Sequence, residues 1–151
     1  MSKTKPKAKL AIKIKRFDQE LPLPQYQTAG AVGLDLVART ELIIAPQTVG
    51  LVPLNIALAL PTGYFAQLVA RSSLQKRGLW LANGVGVIDT DYCGDEDEIR
   101  APLFNFSSVS VTVTRGERLA QLLILSTPSI EWREVERLGG SSRGGFGSTG
   151  A

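Results

Sequence analysis

The chain of 151 residues contains no histidine and a single cysteine, Cys93. The first absence removes the usual base of Ser-His-Asp hydrolysis and the imidazole ligands of histidine metal sites, including those of zinc-dependent base deaminases. Any general base is then a carboxylate, or less usually a lysine or tyrosine. The second absence excludes an internal disulfide and suits a reducing compartment. No apolar run approaches the roughly 20 residues needed to span a bilayer, so no membrane partner is expected. The basic start MSKTKPKAK is not followed by the apolar core and cleavage site of a secretory leader, and the expected location is cytoplasmic.

What is present fits one globular domain with two tails. The apolar fraction is 44%, and a chain of this length can bury a real core. The net charge of +3 is unevenly spread, because Lys3, Lys5, Lys7, Lys9, Lys13, Lys15 and Arg16 all precede the first acid, Asp18. With those seven set aside, ten basic residues face fourteen acidic ones, a net of −4. Nucleic-acid binding requires basic groups gathered on the folded surface. Here they gather in residues 1–9, read as a flexible solubilising arm, and no nucleic-acid partner is expected.

Short apolar, β-branched runs recur between Pro and Gly breaks: LAIKI, LDLVA, ELIIA, TVGLVPLNIALAL, YFAQLVA, GVGVI, SVSVTVT and LAQLLILS. Val109, Val111 and Val113 alternate with Ser108, Ser110 and Thr112, the pattern of a half-buried strand. The whole reads as an all-β fold, a jelly-roll-like β-barrel over residues 10–138. One stretch, ARSSLQKRG, breaks the rhythm. Ser72 and Gln75 have capping-box spacing and Gly78 is a stop, which predicts a short helix starting near Ser72 with its free N–H groups beside Arg71.

In NGVGVIDTDYCG, Asn83 to Gly94, an apolar strand runs into Asp89, Asp91 and Tyr92. Extended backbone would place Asp89 and Asp91 on one face, at a strand end where a carboxylate can deprotonate a water; an acidic turn uses the same residues. The chain ends on RGGFGSTGA, with six glycines between Gly139 and Ala151. Ordering such a tail costs conformational entropy, so Phe146 and Arg143 within it look like groups awaiting a ligand.

Five stretches stand in order: AGAVGLDL (29–36), ARSSLQKRG (70–78), NGVGVIDTDYCG (83–94), RGERLAQLL (115–123) and RGGFGSTG (143–150). Together this set resembles the five motifs of the trimeric deoxyuridine triphosphatases, from about Ile12 to the end of the chain. The resemblance implies hydrolysis of dUTP to dUMP and pyrophosphate by water attack at the α-phosphorus, limiting uracil in DNA and supplying dUMP for dTMP synthesis. It further implies that Asp89 is the general base and that Tyr92 lies against the deoxyribose, excluding a 2′-hydroxyl. Asn83 and the backbone of Gly86, Val87 and Ile88 would read the uracil. Arg71, Ser72, Ser73 and Gln121 would grip phosphates. Mg²⁺ would travel on the triphosphate, with Asp35 near it through water rather than as a direct ligand. Phe146 would stack on the uracil while Arg143, Gly147, Ser148 and Thr149 hold the outer phosphates, which makes residues 139–151 a mobile lid. The same resemblance implies a homotrimer with shared active sites.

Two other readings stay open from the sequence, a dCTP deaminase-like enzyme of the same fold and a nucleotide-binding regulatory module. After Tyr92 the chain looks a few residues longer than the family pattern. The acidic run Asp95 to Glu98 is expected to be a solvated hairpin extension, and Cys93 a tolerated small residue rather than a nucleophile.

Overall fold

The computed structural model describes residues 9–144. Most of the basic arm and the tail residues Phe146, Gly147, Ser148 and Thr149 therefore lie outside the described residues. In chain order the strands are β1 (Lys13–Arg16), β2 (Leu34–Val37), β3 (Leu42–Ile44), β4 (Val49–Pro53), β5 (Ile56–Ala59) and β6 (Tyr64–Ala70). They continue with β7 (Leu79–Leu81), β8 (Gly86–Ile88), β9 (Arg100–Asn105), β10 (Val111–Val113) and β11 (Arg118–Ser126). The expected all-β, jelly-roll-like fold is what these strands build.

The largest sheet runs β2-β11-β6-β8, a second runs β4-β9-β7, and β1-β5 and β10-β3 form two-stranded ribbons. All pairs are antiparallel. Alternation along each strand explains the layering: β9 buries Ala101, Leu103 and Asn105 and turns Arg100 outward, while β6 buries Ala66 and Leu68. Leu36, Leu68, Leu79, Leu103 and Leu122 meet inside with exposures of 2% or less. Each such leucine contributes about 1.5–3 kcal/mol by leaving water. The turn between β10 and β11 is tied to the chain's early part by Arg115, whose guanidinium bonds Asp18 at 2.7 Å and holds that carboxyl below its ordinary range.

Three local expectations are corrected. The short helix is a single 3₁₀ turn, Leu74–Arg77; Ser73 precedes it and caps nothing with its side chain, although Gly78 closes it in the left-handed region at φ 75°. A four-residue turn presents no helix N-terminus to an anion. The strand expected through Val109 begins at Val111, and Val109 stays 64% exposed, because Asn105 and Ser107 bind its carbonyl into a turn instead. Finally, the acidic run is only half solvated. Asp95 and Glu96 are exposed, but Glu98 is buried against Arg39, two 2.8 Å bonds joining carboxylate to guanidinium.

Candidate active site

The site residues fall into two groups. The first surrounds a cavity of about 250 Å³ lined by Leu68, Asn83, Gly86, Val87, Ile88, Asp89, Tyr92, Ile99 and Arg100. Strand β8 supplies its floor by pairing with β6, Gly86 opposite Leu68 and Ile88 opposite Ala66. Gly86 suits that close approach, since a Cβ there would stand 3.1 Å from the Leu68 Cβ, a tight contact. Beyond Ile88 the chain turns at once: the Tyr92 N–H donates to the Asp89 carbonyl at 3.3 Å. Asp89 and Asp91 therefore belong to a turn and do not share a strand face as expected. Asp89 lies at the exposed rim, and Tyr92 stays 42% exposed while its O–H donates to the Glu98 carbonyl at 3.0 Å.

The second group is built on Asp35. Register places Gln121 of β11 directly opposite Asp35 of β2, and Val69 of β6 directly opposite Gln121. Arg71, two residues beyond Val69, reaches back along the same face. The Asp35 side chain is 3% exposed; it pairs with the Arg71 guanidinium, Nε 3.2 Å away, and accepts hydrogen bonds from Arg118 at 3.3 Å and Gln121 Nε2 at 3.3 Å. One carboxylate between two guanidiniums leaves a unit of positive charge, and both arginines border an open groove of about 400 Å³ with Ser73, Leu74, Lys76, Arg77, Glu117 and Leu119. Ser73 borders that groove; Ser72 is exposed in the turn before it. Arg77 pairs with Glu117, fixing the 3₁₀ turn to the β10–β11 corner. The groove suits an anion by its guanidiniums, not by a helix end.

Arg118 is the participant the sequence reading missed. It sits three residues before Gln121, a spacing that places two residues on opposite faces of a regular strand. A bulge between Arg118 and Ala120 shifts the register and brings both to Asp35. The stretch RGERLAQLL contained the residue, but nothing in it marks the bulge.

Asp89 and Arg71 lie toward opposite ends of β6 within one chain. Ile88, next to Asp89, pairs with Ala66, whereas Arg71 follows the other end of β6 five residues later. At about 3.3 Å per residue that separation is on the order of 17 Å of strand. Arg143 lies in the exposed segment after β11, which forms no strand or helix among the described residues. Among the described residues no three His, Cys, Asp or Glu side chains gather into a metal cage, and the oxygens of Asp35 already serve two hydrogen-bond donors and a paired guanidinium. The donor set fits a cation carried by phosphate oxygens and water better than one held by protein ligands.

A model of the dUTPase family matches residues 19–150. The deoxyuridine 5'-triphosphate nucleotidohydrolase of Dictyoglomus turgidum is 43% identical over 148 residues, covering 93% of this chain and 99% of that protein. The dUTPase structure from Streptococcus mutans superposes with a TM-score of 0.72 at 31% identity, over 79% of this chain and 98% of that one. A Staphylococcus bacteriophage 80alpha dUTPase with dUPNHPP reaches 0.82 at 22% identity, over 93% and 99%. A mutant dUTPase from phage phi11 of S. aureus, described as coordinating a structural Mg(II) ion, reaches 0.75 at 18% identity, over 85% and 99%.

Proposed function

The chain belongs to the dUTPase family, and on that premise we propose that it hydrolyses dUTP to dUMP and pyrophosphate, with water attacking the α-phosphorus. The observation that carries the assignment to this chain's own residues is the cavity in which Asn83, Asp89 and Tyr92 meet. Asn83 and the backbone of Gly86, Val87 and Ile88 bind the uracil edge, where a mispaired base leaves buried polar groups unsatisfied. The Tyr92 ring packs on the deoxyribose and excludes a 2′-hydroxyl. Asp89 orients a water and takes its proton as the bond to phosphorus forms.

Arg71, Arg118 and Gln121, aligned by Asp35, hold the phosphate chain, with Ser72 and Ser73 as hydroxyl donors beside them. Mg²⁺ bound to phosphate oxygens would neutralise part of the triphosphate charge, with Asp35 close to it through water. Phe146 stacks on the base, and Arg143, Gly147, Ser148 and Thr149 close over the outer phosphates, excluding bulk water.

The separation along β6 supports a homotrimer in which one copy supplies the Asp89 cavity and another the Arg71 groove. Two apolar features of the single chain favour the same assembly: a groove of about 220 Å³ lined by Ile12, Ile14, Leu58 and Leu122 among others, and the exposed Ile130, Trp132, Val135 and Leu138 after β11.

The test is pyrophosphate release from dUTP, dCTP, dTTP and UTP with Mg²⁺. Release confined to dUTP is expected; ammonia from dCTP, or tight dUTP binding without release, would overturn the assignment. Deleting residues 139–151 from the same protein is expected to lower kcat about 100-fold through lost positioning, with Tm unchanged. An unaltered kcat would remove the lid from the mechanism.

A further inference from the structure

The loop after Tyr92 ends in a buried charge. Glu98 is 2% exposed, and its carboxylate takes two bonds of 2.8 Å from Arg39 and one of 2.9 Å from the Asn55 N–H. Arg39 is itself braced against the Phe17 ring, 5.6 Å from its centroid. The next residue continues the anchor: Ile99 donates to the Ile56 carbonyl and accepts from the Leu54 N–H, at 2.8 and 2.9 Å. Glu98 is thus fixed to the β4–β5 corner of the fold. Its carbonyl, in turn, is the acceptor of the Tyr92 phenol at 3.0 Å.

Between these fixed points the loop is closed on itself, the Asp97 carboxylate capping the Gly94 N–H at 2.7 Å. Tyr92 has one turn bond to Asp89 on its backbone and one bond to Glu98 on its side chain. The tilt of the ring is therefore no better defined than the position of Glu98. Exclusion of a hydroxyl by a wall works only if the wall cannot retreat, because a shift of about an ångström makes room for an oxygen.

We propose that the Arg39–Glu98 pair, part-buried with its carboxylate inside, is a positioning device for sugar choice: it fixes the carbonyl that holds the Tyr92 phenol, and so keeps the ring from yielding to a 2′-hydroxyl. The proposal rests on the reading that Tyr92 meets the deoxyribose. Arg39 and Glu98 are positioning residues and touch no substrate. A loop expected to be solvent-facing thereby becomes part of the selectivity of the site.

The experiment compares kcat/KM for dUTP and UTP in the wild-type protein, Glu98→Gln, Tyr92→Phe and their combination, with Tm recorded for each. Each single variant is expected to lower the dUTP-to-UTP ratio about tenfold, mainly through faster UTP cleavage. The combination should lower it no further, since both changes release the same ring. Should Glu98→Gln fail to fold, the Arg39→Met/Glu98→Leu pair replaces the part-buried ion pair by apolar volume and carries the same expectation. A lowered Tm with an unchanged ratio, or falls that add in the combination, would overturn the proposal. A wild-type protein that releases no pyrophosphate from dUTP overturns the activity reading itself, and this inference with it.

Discussion

Asp89→Asn is expected to lower kcat for dUTP about 1,000-fold, the middle of the range for loss of a general base, while leaving dUTP affinity within a few-fold of the wild type. The substitution preserves shape, and the bond that holds the turn runs from the Tyr92 N–H to the backbone carbonyl of residue 89, which the variant keeps. Exposure at the rim of the cavity means that no buried partner is orphaned. An amide can still orient a water through its oxygen, but it cannot take the proton. The loss thus falls on an interaction made only as the transition state forms, which lowers kcat and kcat/KM together. A thousandfold is about 4 kcal/mol of barrier. Pyrophosphate release gives the rate and titration with dUTP gives the affinity; a variant within tenfold of wild-type turnover would remove Asp89 from the role of base.

The strands were legible because burial and alternation coincide in them. Val111 and Val113 are buried on either side of an exposed Thr112, and β6 alternates around Ala66 and Leu68. Most members of the Asp89 cavity were legible for a different reason: Asn83 to Tyr92 is continuous in sequence, so strand β8 and the turn after it bring them together, while Leu68, Ile99 and Arg100 join from distant positions and were not foreseen. What could not be read depends on distant register. Glu98 looks like the end of a solvated acidic run until Arg39, 59 residues away, is placed beside it. Arg118 looks averted from Gln121 until the bulge is known. Ser72 and Gln75 have the spacing of a cap, yet Leu74 donates to the Arg71 carbonyl and the turn tightens to 3₁₀ geometry after Ser73. Spacing states which bonds are available to a local segment, and tertiary contacts choose among them.

The same kind of register, invisible in the sequence, leads to the second large effect. Asp89→Asn and Arg71→Ala chains, each nearly inactive alone, are expected to recover about a quarter of wild-type activity when mixed at equal amounts and allowed to exchange subunits. Ile88 pairs with Ala66 near one end of β6 and Arg71 follows the other, so under the proposed shared-site assembly the two come from different copies. A given site is intact when the copy supplying residue 89 is an Arg71→Ala chain and the copy supplying residue 71 is an Asp89→Asn chain; each condition holds half the time. Arg71→Ala is suited to the purpose because Asp35 keeps Arg118 and Gln121 as donors, and its buried carboxylate is not left alone. Were both groups drawn from one chain, no mixture could contain an intact site, and the rate would stay at the mean of the two inactive preparations. A recovery to about a quarter of wild type, far above that mean, therefore separates a site shared between copies from one completed within a single chain.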